Sequence, residues 1–223
     1  MPNKLQFYFD CVSPWSYVAF NVIRRYQQKW NLDIDWCPAS LSYVMKFSGN
    51  KPPLTVPNKG MQMSKELGLT KSMYGVDLRM PDAFPFDTFS LMGFLRGVKE
   101  REPAKLEQLI DAFVTAVWGE GRHVHTAEHI RDLAGPAFKG QEQDLDKLVE
   151  YAFSREARDL LKKEADQLVN NGAFGFPYVL HVSDLQLDGC DPCFRWKTDE
   201  LFLAAFYGEP YAGPFANGIT PRL

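Results

Sequence analysis

A chain of 223 residues, 45% hydrophobic and 24% charged, has the makeup of an ordinary globular protein with one or two domains and ample material for a core. Its net charge of −3 argues against a nucleic-acid surface. No apolar run approaches the ~20 residues that span a bilayer, and four cysteines (Cys11, Cys37, Cys190, Cys193) do not make a disulfide scaffold in a chain this long. With no leader-like segment before the first apolar alternation, an intracellular chain is expected, with partners that are neither nucleic acid nor membrane.

Leu5, Phe7 and Phe9 alternate with Gln6, Tyr8 and Asp10, which is strand spacing. After Ser13-Pro14-Trp15-Ser16 the period changes to that of a helix, with Val18, Val22, Tyr26 and Trp30 on one side. Leu32, Ile34 and Trp36, alternating with Asp33 and Asp35, predict a second strand over 31–38 and hence a βαβ unit. Helices are expected over 41–47 and 58–67, separated by the loop Ser48-Gly49-Asn50-Lys51-Pro52-Pro53. Helices then dominate: 86–98, 103–118 with a Leu106, Leu109, Ile110, Phe113, Val114, Val117 stripe, one capped by Thr126, then 145–151 and 155–169. Strand signals return at 178–182, near 185–187 and around Phe194, before a last helix over 198–207 and a Gly/Pro-rich tail. The order β-α-β, helices, β-β-α predicts an α/β thioredoxin-like layer from 1–40 and 172–223, with an all-helical domain, 41–171, inserted into it.

The turn after the first strand is where such a layer places its reactive group. Oxidoreductases hold Cys-x-x-Cys there; this chain holds Ser13-Pro14-Trp15-Ser16, and a serine cannot exchange a disulfide. Pro14 suits the first helical position and Ser13 suits the N-cap. Ser13 alone is read first as a plain cap, and second as a hydroxyl beside unpaired N–H groups at the positive end of a helix, where an anion or thiolate can be held. The second signal is Gly172-Ala173-Phe174-Gly175-Phe176-Pro177, a proline immediately before a strand. It is either the opening of an edge strand or the cis proline that faces the active turn in thioredoxin-like layers. Cys190-Asp191-Pro192-Cys193 has redox spacing but sits in a turn, and a pair of surface thiols is favoured over a redox pair or half a zinc site. His123, His125 and His129 lack a carboxylate-histidine motif, so a polar helix entry is favoured over a metal site, and no metal is expected.

Phe9-Asp10 and Ser13-Pro14-Trp15-Ser16, the Ser48–Pro53 loop, Val56-Pro57-Asn58-Lys59-Gly60 and the Gly172–Pro177 segment occur in one order and spacing. Together they resemble kappa-class glutathione transferases over nearly the whole chain. A sister family of the same architecture is the glutathione-dependent 2-hydroxychromene-2-carboxylate isomerases. The resemblance implies that glutathione is a substrate and that Ser13 hydrogen-bonds its sulfur. Pro14 and Trp15 would line the site, Asn50 would contact the tripeptide backbone, Lys59 would pair with a carboxylate, and Phe176 before Pro177 would pair its main chain with the cysteinyl unit. The family's Gly-Ser-Asp segment for the γ-glutamyl end reads Lys197-Thr198-Asp199 here. Thr198-Asp199 then stands for Ser-Asp, with Lys197-Thr198 as the competing register. It also implies a small electrophilic second substrate, a homodimer, and a place in the peroxisome or mitochondrion, with the cytosol as the alternative. The terminal Pro221-Arg222-Leu223 is similar to a degenerate peroxisomal address. An isomerase and a non-catalytic glutathione- or peptide-binding module are the competing functions.

Overall fold

β1 (Asn3–Phe9) keeps the alternation expected of it: Leu5, Phe7 and Phe9 are buried, while Gln6 and Tyr8 are half-buried on the opposite face. The computed structural model describes residues 3–182 and the strand β4 (Cys193–Trp196). The strand expected near 185–187, the helix expected over 198–207 and the tail lie outside the described residues.

β1 is central. It pairs in parallel with β2 (Leu32–Pro38) and antiparallel with β3 (Tyr178–Val182), and β3 pairs antiparallel with β4, giving the order β2-β1-β3-β4. Phe7 lies opposite Trp36 on one side and Val179 on the other. The helix α1 (Pro14–Tyr26) is the crossover between β1 and β2, and its Phe20 and Ile23 cover Phe7 and Trp36. The sheet is thus the thioredoxin-like layer that the element order predicts.

Each face of the sheet has its own core. On the Phe7 face, α1 shares one apolar cluster with α4 (Phe89–Arg101), α5 (Leu106–Val114), α6 (Ala127–Ala134) and α7 (Glu142–Ala152). On the Tyr8 face, Val44 of α2 (Leu41–Ser48) and Ala165 and Leu168 of α8 (Arg155–Asn170) pack with Phe176, Tyr178 and Leu180. Each fully buried large side chain contributes about 1.5–3 kcal/mol.

Several elements differ in extent from expectation: α1 ends at Tyr26, short of Trp30, and α7 starts at Glu142, three residues before Leu145. α3 runs Pro57–Tyr74, seven residues beyond Leu67. Its buried stripe is Met63, Leu67 and Thr70, so a threonine extends the face, and Gly75 in the left-handed region (φ 58°) ends it. α4 starts at Phe89, not Phe86, because the Asp87 side chain accepts from the Phe89 N–H (2.8 Å) and breaks the run. The segment expected as one helix to Trp118 changes to a π-helical turn over Thr115–Gly119. That turn delivers the fully buried Trp118, whose indole N–H donates to the Cys11 carbonyl (2.8 Å).

Candidate active site

Ser13 is the N-cap of α1 in extended conformation (φ −87°, ψ 116°), and its Oγ accepts from the Ser16 N–H at 3.2 Å. Pro14 fills the first helical position, as its fixed φ and missing N–H favour. The Tyr17 N–H is taken by the Ser13 carbonyl (3.2 Å). The Trp15 N–H is therefore the first-turn donor that the helix itself cannot satisfy. It forms part of the positive end of the helix dipole, and Trp15 is half-buried.

The Ser13 hydroxyl also donates to the Phe176 carbonyl at 3.2 Å, across 163 residues of sequence. The Phe176–Pro177 bond is cis. Sheet topology brings these two segments together: both lie at the end of the layer where β1 stops and β3 starts. Ser13 and Phe176 are 3% and 7% exposed, so the contact is shielded from bulk water.

The remaining expected residues divide. Asn50 is exposed, and its side-chain N–H donates to the Phe174 carbonyl at 2.8 Å while its side-chain carbonyl accepts from the Lys51 N–H at 2.8 Å. Asn50 therefore fastens the loop after α2 to the proline segment. Lys59 is exposed in the first turn of α3. Thr198 and Asp199 lie outside the described residues, as does Cys190; Cys193 is the first residue of β4.

The protein's own sulfurs near the turn are poor nucleophiles. Cys11 is buried, and burial and the Asp10 charge push its thiol well above the ordinary value. Burial pushes the Cys37 thiol up to about 12, although the Lys99 ammonium lies 3.0 Å from its sulfur and opposes that shift. Among the described residues, then, neither buried cysteine is activated as a thiolate. The histidines stack rather than converge: the His123 and His125 rings are 3.8 Å apart at 19°. Among the described residues no three His, Cys, Asp or Glu side chains are grouped to hold a metal ion, and no helix is long and apolar enough to cross a membrane.

One residue of the site was not singled out by sequence reasoning. Asp10 is 1% exposed, and its carboxylate accepts from the Val12 N–H (3.0 Å), the Leu41 N–H (2.9 Å) and the Thr88 hydroxyl (2.7 Å). Its carbonyl accepts from the Ser13 N–H (3.0 Å). Burial raises its pKa to about 6, opposed by the three hydrogen bonds. The available signal was an aspartate two residues before an N–H in a turn, the Asx-turn pattern.

A family model described as a DSBA-like thioredoxin domain matches residues 4–198. The glutathione S-transferase kappa 1 of Rattus norvegicus is 30% identical over 229 residues, covering 100% of this chain and 98% of that protein. The chain is a DsbA-like, kappa-class family member. Among its more distant relatives is a 2-hydroxychromene-2-carboxylate isomerase of Sphingobium xenophagum, 26% identical, covering 92% of this chain and 98% of that one. A solved isomerase of that name superposes with a TM-score of 0.67 at 20% identity, covering 97% of this chain and 100% of its own, which speaks for the shared fold.

Proposed function

We propose that this kappa-class protein is a glutathione transferase that joins the glutathione sulfur to electrophilic carbon in small hydrophobic substrates. The observation that supports it best is the Ser13 hydroxyl, placed at the N-cap of α1 and within 3.2 Å of the Phe176 carbonyl. With ligand bound, the hydroxyl turns its proton from that carbonyl to the sulfur while still accepting from the Ser16 N–H. A donor to the anion, the Trp15 N–H and the helix dipole all favour thiolate over thiol, and the thiol proton leaves to solvent. The thiolate pair forms the new C–S bond. The electrophile's leaving group departs with its own electron pair, or, in an addition, the adjacent carbon takes up a proton.

In this reading the layer 1–40 with 172–223 holds the tripeptide: Pro14 and Trp15 flank the sulfur, and Phe176 and Pro177 offer main-chain contacts. Asn50 shapes the neighbouring loop, Lys59 meets a ligand carboxylate, and Thr198-Asp199 receives the γ-glutamyl end. The inserted helices, 41–171, wall the second-substrate pocket. A homodimer working in detoxification in the peroxisome or mitochondrion completes the proposal. Light scattering tests the dimer, and imaging of the tagged chain with and without Pro221-Arg222-Leu223 tests the address.

The deciding experiment is Ser13→Ala. A hydrogen bond to a charged group is worth ~1.5–3 kcal/mol, so kcat for conjugation should fall about 10- to 100-fold with glutathione affinity little changed. The ultraviolet thiolate band of bound glutathione should titrate at higher pH in the variant. Wild-type turnover in Ser13→Ala would reduce Ser13 to a helix cap. The 26% identical isomerase favours a second reading, in which the same thiolate adds and leaves again. Product analysis separates the two, because an isomerase returns free glutathione.

A further inference from the structure

Three donors from three separate segments converge on the two carboxylate oxygens of Asp10. The Val12 N–H belongs to the turn leading into α1, the Leu41 N–H opens α2, and the Thr88 hydroxyl sits immediately before α4. The Ser13 N–H closes the same turn onto the Asp10 carbonyl. All three partners of the carboxylate are neutral. A carboxylate 1% exposed and facing only neutral donors is costly to bury, so its retention needs a reason beyond packing. Geometry supplies one: Oδ1 accepts two of the donors and Oδ2 the third, at 2.7–3.0 Å. An amide of the same shape has one acceptor oxygen, and its NH2 would face an N–H on one side or the other.

We propose that Asp10 is the positioning residue for the thiolate site. Its carboxylate fixes the Asp10–Ser13 turn against the starts of α2 and α4, and so holds the Ser13 hydroxyl opposite the Phe176 carbonyl, where the sulfur of bound glutathione would receive it. Asp10 touches no substrate in this scheme; it acts through Ser13. The inference rests on the transferase reading above.

The test uses the full-length protein, with glutathione itself as the probe. Wild type, Asp10→Asn, Thr88→Val and Thr88→Ser are compared for glutathione affinity by calorimetry, for the pKa of the bound thiol from its thiolate absorbance, and for kcat against KM with a chromogenic electrophile. The expected result for Asp10→Asn is a bound-thiol pKa higher by about one unit and kcat lower about tenfold, with affinity within about threefold of wild type. Thr88→Val, which removes one donor and keeps the shape, should show a smaller shift in the same direction. Thr88→Ser should restore what Thr88→Val lacks. Should Asp10→Asn fail to fold, the Thr88 pair carries the comparison. A wild-type thiol pKa and kcat in Asp10→Asn or, if that variant fails to fold, in Thr88→Val overturns the inference and leaves the transferase reading standing. A wild-type protein that does not hold glutathione as thiolate overturns both.

Discussion

Asp10 is a carboxyl whose proton is held more tightly in the folded protein than in the open chain, since burial lifts it from 3.8 to about 6. Between those values the unfolded chain ionises first, so this group favours the native state most at about pH 4 and below, and that preference is lost as pH rises through about 6. The difference is about 3 kcal/mol by linkage. Urea unfolding of wild type and Asp10→Asn should therefore give a stability difference that moves by about 2 kcal/mol against wild type between about pH 4 and about pH 7. A difference independent of pH would mean that Asp10 does not titrate in that window. Ser13's place as the N-cap of α1, by contrast, was legible from the residues alone, because a serine before proline at the start of an apolar helical period suits that position. Asp10 was not: it falls on the polar phase of the β1 alternation, where an aspartate is ordinarily solvated, and only the loops that return over it from Leu41 and Thr88 bury it.

Among the elements, α4 and α7 approach closely at two glycines, Gly93, where a Cβ would lie 3.1 Å from the Ala152 carbonyl oxygen, and Gly97. A Cβ on Gly97 would lie 2.9 Å from Cδ1 of Tyr151 and 3.2 Å from Cδ2 of Leu148. The Tyr151 ring is itself held, buried and with the Arg101 guanidinium 4.8 Å over it. Gly97→Ala gains about 1 kcal/mol of helix propensity but overpacks a fixed ring, so a net loss of about 1–2 kcal/mol is expected in thermal unfolding. An equal or raised melting temperature would show that the ring yields. Helical periodicity gave α4 to α8 as elements, yet no period in a single helix says which neighbour it meets, and a glycine within a helical period does not show what packs against it. The length of α3 was missed for a related reason: Leu69 and Met73, the apolar residues past Leu67, are exposed, and Thr70 takes the inward position.

At the scale of the molecule, the layer and the inserted helices are distinct in topology but share a core. Phe7, Phe9 and Phe20 lie in one cluster with Leu91, Phe94, Leu95 and Phe113. Baring those four helical residues to water costs about 6–12 kcal/mol, comparable to the ~5–15 kcal/mol that stabilises a typical domain. Residues 41–171 expressed alone are therefore expected to lack a cooperative melting transition by circular dichroism; a sharp one would show that the helices stand without the sheet. The layer itself was readable because β1, α1 and β2 each carry a clean period and β3 is a short apolar run after a proline, while the isomer of that proline stayed open. The Ser13–Phe176 bridge has one more consequence, for biosynthesis. As the polypeptide leaves the ribosome, the serine emerges early and its carbonyl partner more than a hundred and sixty codons later. Products that stop short of Phe176 therefore contain the hydroxyl without the wall it faces.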